Sequence, residues 1–418
     1  MDTLSTLRAV LSYRRINCVL TLMLFLVLVL SSPAISQTAR EPVKIGIIFP
    51  LTGNLADSGR YPLEAFKMAQ DEINRSGGIV ALGGRPIEFV FADHQGMPEL
   101  ATREAERLVK TNHVVALAGS YTSATGLAAS AVAERLKVPW LQVVGLADTI
   151  TDRGLKFTFR NKPNVSMFAR DRYRFMAYLS KLARKDIKTI ALLAEDSAYG
   201  KDGASIDRKM APSLGYTIVA DESFRQGSSD LTPQLSKIKA ANAQAILAWN
   251  LMPEGLIIMR TMDILEMHMP FLPTTGGCFG QAMLDLGTLS ENLACTSAWS
   301  TDLKLPGVKE TNERYRKLFG RDMNDDASSA YSGAYILKEA LERAKSTDAE
   351  TLRNAMAHIQ ISRGPAMIVP TENSRINFGA DGQFHEGTLI VMQVQNNKYV
   401  TVWPEAGASG KLRIPWTW

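Results

Sequence analysis

The stretch Val43-Lys44-Ile45-Gly46-Ile47-Ile48-Phe49, closed by Pro50, decides the fold. It is a continuous β-branched run, not an alternating one, as a strand buried on both faces of a parallel sheet requires. Pro50 lacks a backbone donor and ends the ladder. Beyond it, Pro62, Phe66, Ala69 and Ile73 recur at helical spacing until Gly77-Gly78 stop the helix. Then come a strand over 87–91, a helix over 97–110, a strand over 114–118, a helix over 124–136 and a strand over 140–144. Strands and helices that take turns through short loops specify doubly wound α/β structure.

The same pattern restarts after Pro163. Phe168, Phe175, Leu179 and Leu182 mark a helix, and strands are expected over 189–194, 217–223 and 245–249, with helices over 201–214, 231–241 and 253–266. The chain then returns to helices over 309–319, 327–344 and 349–358. Its end changes character, because 388–395 and 398–403 flank Asn396-Asn397, a hairpin signal. Two α/β units in tandem with a late antiparallel addition are expected.

Upstream of the first strand lies a different kind of segment. Arg8, Arg14 and Arg15 precede the apolar run 18–30, and Ala34-Ile35-Ser36 place small side chains at −3 and −1 of a cleavage site. That is the layout of a secretory signal peptide over 1–36. The run falls short of the roughly 20 residues of a membrane span, an uncleaved anchor being the alternative. Cys18 opens the run and does not follow it, so it is not the lipidated first residue of a lipoprotein. The mature chain then holds two cysteines, Cys278 and Cys295. In an oxidising compartment the pair is expected to form a bridge, the alternative being two buried thiols.

Composition excludes several functions. The chain of 418 residues carries 47 Lys+Arg against 42 Asp+Glu, without a basic run of five or six in its body, so nucleic-acid binding is not expected. It contains no G-x-S-x-G, H-E-x-x-H or Walker A pattern. His94, His113, His268, His358 and His385 stand singly, without metal-ligand spacing. Asp325-Asp326 precede a helix and read as N-terminal capping. No catalytic chemistry, cofactor or metal is expected.

Further residues carry a family likeness. Phe49-Pro50-Leu51-Thr52-Gly53-Asn54 after the first strand, Ala69 to Asn74 with Gly77-Gly78, Asp93, and Gly119 to Ser123 occur in order. They are followed by Asp152-Arg153-Gly154 with Phe159-Arg160, Tyr199-Gly200 and Pro253-Glu254. In order and spacing, from about Val43 to Trp403, the chain resembles the periplasmic leucine/isoleucine/valine-binding proteins of branched-chain amino-acid ABC transporters. The resemblance implies two doubly wound α/β lobes joined by a three-crossover hinge, closing on a small solute that a membrane permease receives. It implies lobe one at 42–160 with 302–364, and lobe two at 161–301 with 365–418. A ligand-sensing protein of the same fold, feeding a signalling receptor, is the alternative. A secreted enzyme is a third class.

Open α/β sheets bind ligands at the carboxyl ends of their strands, where helix N-termini also point. The loop Gly119-Ser120-Tyr121-Thr122-Ser123 joins a strand to a helix and suits a carboxylate. The resemblance implies that Ser123 binds that carboxylate; a plain N-cap is the alternative. It also implies a ligand loop at Val144-Gly145-Leu146-Ala147, with Leu146 where amino-acid binders have threonine. Tyr199 matches a ligand-covering tyrosine, a core aromatic being the alternative. Three positions depart from the pattern: Thr275 stands where the acidic partner of the ammonium is expected, Leu251 replaces an aromatic lid, and Ser58 replaces a tyrosine. Trp249 and Leu251 are expected to form an apolar wall, with Glu254 or Asp196 as substitute partners for an ammonium. The expected solute is therefore a small organic acid without an amino group, aromatic or branched.

Overall fold

A computed structural model describes residues 40–416. The expected signal segment lies outside the described residues, and every element belongs to the unit that begins at Pro42.

The first sheet is built from β1 (Val43–Phe49), α1 (Ala56–Arg75), β2 (Ile87–Asp93), α2 (Pro98–Lys110), β3 (Ala116–Gly119), α3 (Ser123–Leu136), β4 (Trp140–Gln142) and β5 (Thr158–Arg160). Its strand order is β2-β1-β3-β4-β5, all parallel. β1 is an inner strand, with Ile45 and Ile47 packed on one side and Ile48 on the other, which is why the run does not alternate. The order reverses between β1 and β3, so the loops after these strands flank a crevice.

After α4 (Val165–Ala183) a second sheet repeats the scheme with β6 (Thr189–Glu195), α5 (Ala198–Ser213), β7 (Thr217–Phe224), α6 (Thr232–Ala240), β8 (Ala245–Trp249), α7 (Met252–Ile264) and β9 (Phe271–Leu272). Its order is β7-β6-β8-β9, again parallel, with its switch between β6 and β8. The short helix α8 (Gln281–Leu284) and β10 (Ala294–Ser297) follow, and β10 pairs antiparallel with β11 (Ile390–Val394), which pairs with β12 (Tyr399–Trp403). Asn396 and Asn397 in the connecting turn both have positive φ, 53° and 59°, the conformation that asparagine tolerates in a tight hairpin. A disulfide joins Cys278 and Cys295, Cα atoms 5.9 Å apart. It holds the loop before α8 against β10.

Between β10 and β11 the chain visits the first sheet again as α9 (Val308–Phe319), α10 (Asp325–Ala344) and α11 (Ala349–Ala357). Glu72 of α1 accepts from Tyr335 Oη at 2.9 Å and Arg314 Nε at 2.8 Å, and the Tyr315 hydroxyl donates to Glu64 at 2.6 Å. The chain thus passes between the two sheets three times. Buried Arg160, at the end of β5, ties the first and last passages together. Its Nε donates to Gln383 Oε1 at 2.6 Å, and its guanidinium donates to the carbonyls of Leu146 and Ala147 at 2.9 and 2.6 Å. A further bond runs to the Thr151 hydroxyl at 3.0 Å. Charge-assisted bonds of this kind hold a group that burial would otherwise make costly.

The short strands β5, β9 and β10 were not expected, and β3 and β4 begin or end up to two residues from their expected bounds. Runs of two to four residues carry no period to read. Among the described residues, no helix is long and apolar enough to cross a membrane.

Candidate functional site

The carboxyl ends of β3, β4, β6 and β8 converge on one cavity of about 410 Å³, part of it open to solvent. Of the residues expected at a ligand, Tyr121, Ser123, Val144, Leu146, Tyr199, Leu251 and Thr275 line it.

The wall after β3 is held rigidly. Thr122, not Ser123, is the N-cap of α3: its hydroxyl accepts from Thr125 N at 3.3 Å. The N-cap reading of Ser123 is therefore corrected. Ser123 is the first helical residue, and its Oγ accepts from Ala147 N at 3.0 Å, joining the two expected ligand loops. Gly145 permits the approach, because a Cβ there would lie 3.2 Å from Ser123 Cα and 2.8 Å from Gln142 Nε2. Beneath the loop, Ser120 Oγ meets His94 Nε2 at 2.7 Å and Thr125 Oγ1 at 2.6 Å. His94 Nδ1 accepts from Gly96 N at 2.9 Å, so Nε2 carries the proton and donates to Ser120. Burial lowers the His94 pKa to about 4, leaving the ring neutral. As expected of isolated histidines, it is a satisfied core residue.

The opposite wall carries a group that sequence reading missed. Glu195 ends β6 and is 2% exposed. Its Oε1 is hydrogen-bonded to the Ser197 hydroxyl, while Oε2 has no partner. Burial pushes its carboxyl up to about 8, the Ser197 bond opposing and the Glu254 and Asp196 carboxylates adding to the push. Next to it Tyr199 is anchored through its hydroxyl to Thr274, and burial raises its pKa as well.

Two expectations about this wall are corrected. Trp249 is not on it: the indole lies behind Tyr199, edge to face at 5.5 Å, and donates to Asp207 at 2.6 Å. The Arg172 guanidinium covers it, 4.3 Å from the ring centre. Trp249 is thus a core aromatic, and Tyr199 is the one that reaches the cavity. Nor do Glu254 and Asp196 line the cavity: Glu254 accepts from Gly227 N at 2.6 Å, and exposed Asp196 accepts from Gln226 N at 3.0 Å.

Asp325-Asp326 also differ from expectation. Asn324 is the cap of α10, accepting from Ala327 N at 2.9 Å, which leaves both aspartates in the first turn. They face Lys162, on the first passage between the sheets, whose Nζ lies 2.7 Å from Asp326 Oδ1 and 3.3 Å from Asp325 Oδ2. The lysine side chain is 1% exposed. Burial alone would lower its pKa, but the two carboxylates outweigh it and raise the value. Lys162 and Asp326 both line the cavity, on its third side.

Over residues 42–398 the chain matches the family described as periplasmic binding protein. The chain belongs to this family. It is accordingly a solute-binding protein of the ABC-transporter type, not an enzyme, and its two α/β lobes are those of a type I periplasmic binding protein. A Leu/Ile/Val-binding protein homologue of Brucella abortus is 27% identical over 390 residues, covering 90% of this chain and 95% of its own. A leucine-binding protein of Thermotoga maritima superposes with a TM-score of 0.77 at 23% identity, covering 87% of this chain and 99% of its own. A solute-binding protein from Rhodopseudomonas palustris, solved with 3,4-dihydroxybenzoic acid, gives 0.74 at 20% identity, covering 86% and 95%. These relatives are binding proteins, and the signalling reading draws no support from them.

Among the described residues, no group of three or more His, Cys, Asp and Glu side chains is gathered as metal ligands are. The polar groups of this periplasmic binding protein converge on the cavity instead. Glu195 and Lys162 escaped sequence reading and Asp326 was read only as a cap, although the end-of-strand rule could have found Glu195, which adjoins the Asp196 considered there.

Proposed function

We propose that the chain receives solute for an ABC importer, in the periplasm after loss of residues 1–36. We take its solute to be a small carboxylate with an apolar body and no charged amino group. The carboxylate would meet Ser123 and the N-terminus of α3, and the body would lie against Val144, Leu146, Leu251 and the tyrosines. The proposed lobes are 42–160 with 302–364 and 161–301 with 365–418, and the partner is a membrane permease.

One observation carries the choice of an amine-free solute. Of the carboxyl groups on the cavity wall, Asp326 is paired with Lys162 at 2.7 Å, and burial favours the neutral form of Glu195, its pKa pushed up to about 8. A buried ammonium needs an available carboxylate. Thr275 supplies none, and it stands where the resemblance expects one.

The test is thermal denaturation of protein stripped of ligand by unfolding and refolding. Leucine and phenylalanine would be compared with α-ketoisocaproate, isocaproate and benzoate. A ligand at a hundredfold excess over its Kd stabilises by about 2.7 kcal/mol. Shifts confined to the amine-free acids are expected. Shifts confined to the amino acids would overturn the proposal and mean that Glu195 gives up its proton to receive an ammonium.

A further inference from the structure

Resting on that reading, the cavity's hydrogen-bond inventory says more about the solute. Nζ of Lys162 carries three protons, and Asp326 and Asp325 accept two of them. On the facing wall Glu195 is bonded to Ser197 through Oε1, and Oε2 has no partner, while burial favours the protonated carboxyl, which has one proton to donate. An unpaired buried donor is costly, and a ligand acceptor relieves that cost. Both groups line the cavity that Ser123, at the start of α3, also lines. With a carboxylate at Ser123, the next carbon of the solute enters the same cavity as these two groups. An amino acid places a donor there. A 2-oxo acid places an acceptor there, on a flat carbon chain of the same length.

We infer that the solute is a 2-oxo carboxylate with a branched or aromatic body, and that Lys162 and Glu195 select it by donating to the 2-oxo oxygen. Lys162 is the specificity-determining residue of the pair, because its charge makes the stronger bond to a carbonyl. Its aspartates hold the ammonium in place and keep it charged while buried. Val144, Leu146 and Leu251 then read the body and not the polar end.

The experiment is calorimetric titration of the refolded, ligand-free protein with three molecules of one carbon skeleton: α-ketoisocaproate, isocaproate and leucine. The 2-oxo acid is expected to bind about tenfold or more tighter than isocaproate, the scale of one charge-assisted hydrogen bond. Lys162→Met combined with Asp326→Asn is expected to shrink that ratio towards one, weakening the 2-oxo acid more than isocaproate. If this variant does not fold, the wild-type ratio still decides the matter, and Glu195→Gln, which retains a donor, is expected to preserve it. Equal binding of the 2-oxo acid and isocaproate would overturn the inference and leave the amine-free reading standing. So would binding of benzoate with neither of the two. Leucine binding above both would overturn the inference and the reading beneath it together.

Discussion

Two titratable groups, one behind each main wall of the cavity, are pushed in opposite directions by the same cause. Burial takes His94 down to about 4 and Glu195 up to about 8, so both are neutral at pH 7. Their hydrogen bonding differs. Both ring nitrogens of His94 are engaged, and through Ser120 and Thr125 it belongs to a closed network beneath the α3 loop. Glu195 keeps an oxygen with no partner. A finished network fixes the position of the α3 N-terminus whether or not a ligand is present, whereas an unfinished one waits for the ligand to complete it. On the proposed reading, the first wall positions the solute and the second distinguishes one solute from another.

The largest effect should come from the third side. Lys162→Met leaves Asp325 and Asp326 buried without their cation, and breaking a buried pair from one side costs about 3–5 kcal/mol. Urea denaturation should show that loss, and adding Asp326→Asn should recover part of it. A single variant as stable as wild type would mean that the aspartates take up protons instead, and that the triad does not organise the passage between the sheets.

The comparison of His94 with Glu195 can be broken by pH. Below pH 6.5 the unfolded chain binds a proton at His94 that the folded chain refuses until about pH 4. His94 therefore makes stability fall as pH drops across this window, by about 3 kcal/mol in all. Glu195 acts in the opposite sense: the folded chain keeps its proton to about pH 8, while the unfolded chain releases it near the ordinary glutamate value. Its contribution is full below that value and is lost as pH rises towards 8. Between about pH 4.5 and 6.5 the two slopes oppose each other. Urea midpoints of Glu195→Gln across this range should expose the His94 slope, and those of His94→Asn should expose the Glu195 slope. Identical pH profiles for wild type and both variants would show that neither group is held neutral.

What the sequence made legible depends on the range over which each signal acts. The 43–49 run and the helix over 56–75 are local patterns, and their repetition was enough to reveal two parallel sheets. β5, with three residues, and β9, with two, are strands only because neighbours pair with them. Trp249 misled for a geometric reason. It ends β8 beside the cavity, but successive strand residues face opposite sides, and the indole turns towards α5, where a Cβ on Gly203 would lie 2.2 Å from it. Lys162 and Asp326 are 164 residues apart, and nothing in either neighbourhood announces the other. Glu195 ends an otherwise apolar strand, where a lone acid looks like the start of a loop. The likeness to a known family supplied the positions of the ligand loops but drew attention to Thr275, the place where an acid is missing. The acids that are present lie elsewhere.

The smallest effect sharpens the division between the walls. Ser123→Ala removes one hydroxyl that lines the cavity and accepts from Ala147 N at 3.0 Å. Losing that bond should lower stability by about 1 kcal/mol, and losing a donor to the carboxylate should weaken binding about tenfold or somewhat more. If the first wall only positions the solute, titrations should show every carboxylate weakened by a similar factor, with the order of preference unchanged. Exchanging a donor on the other walls should instead reorder the panel, because those walls touch what distinguishes one acid from the next. A Ser123→Ala protein that reordered its ligands would mean that the α3 loop reads more than a carboxylate, and that the closed network beneath it is part of the selection.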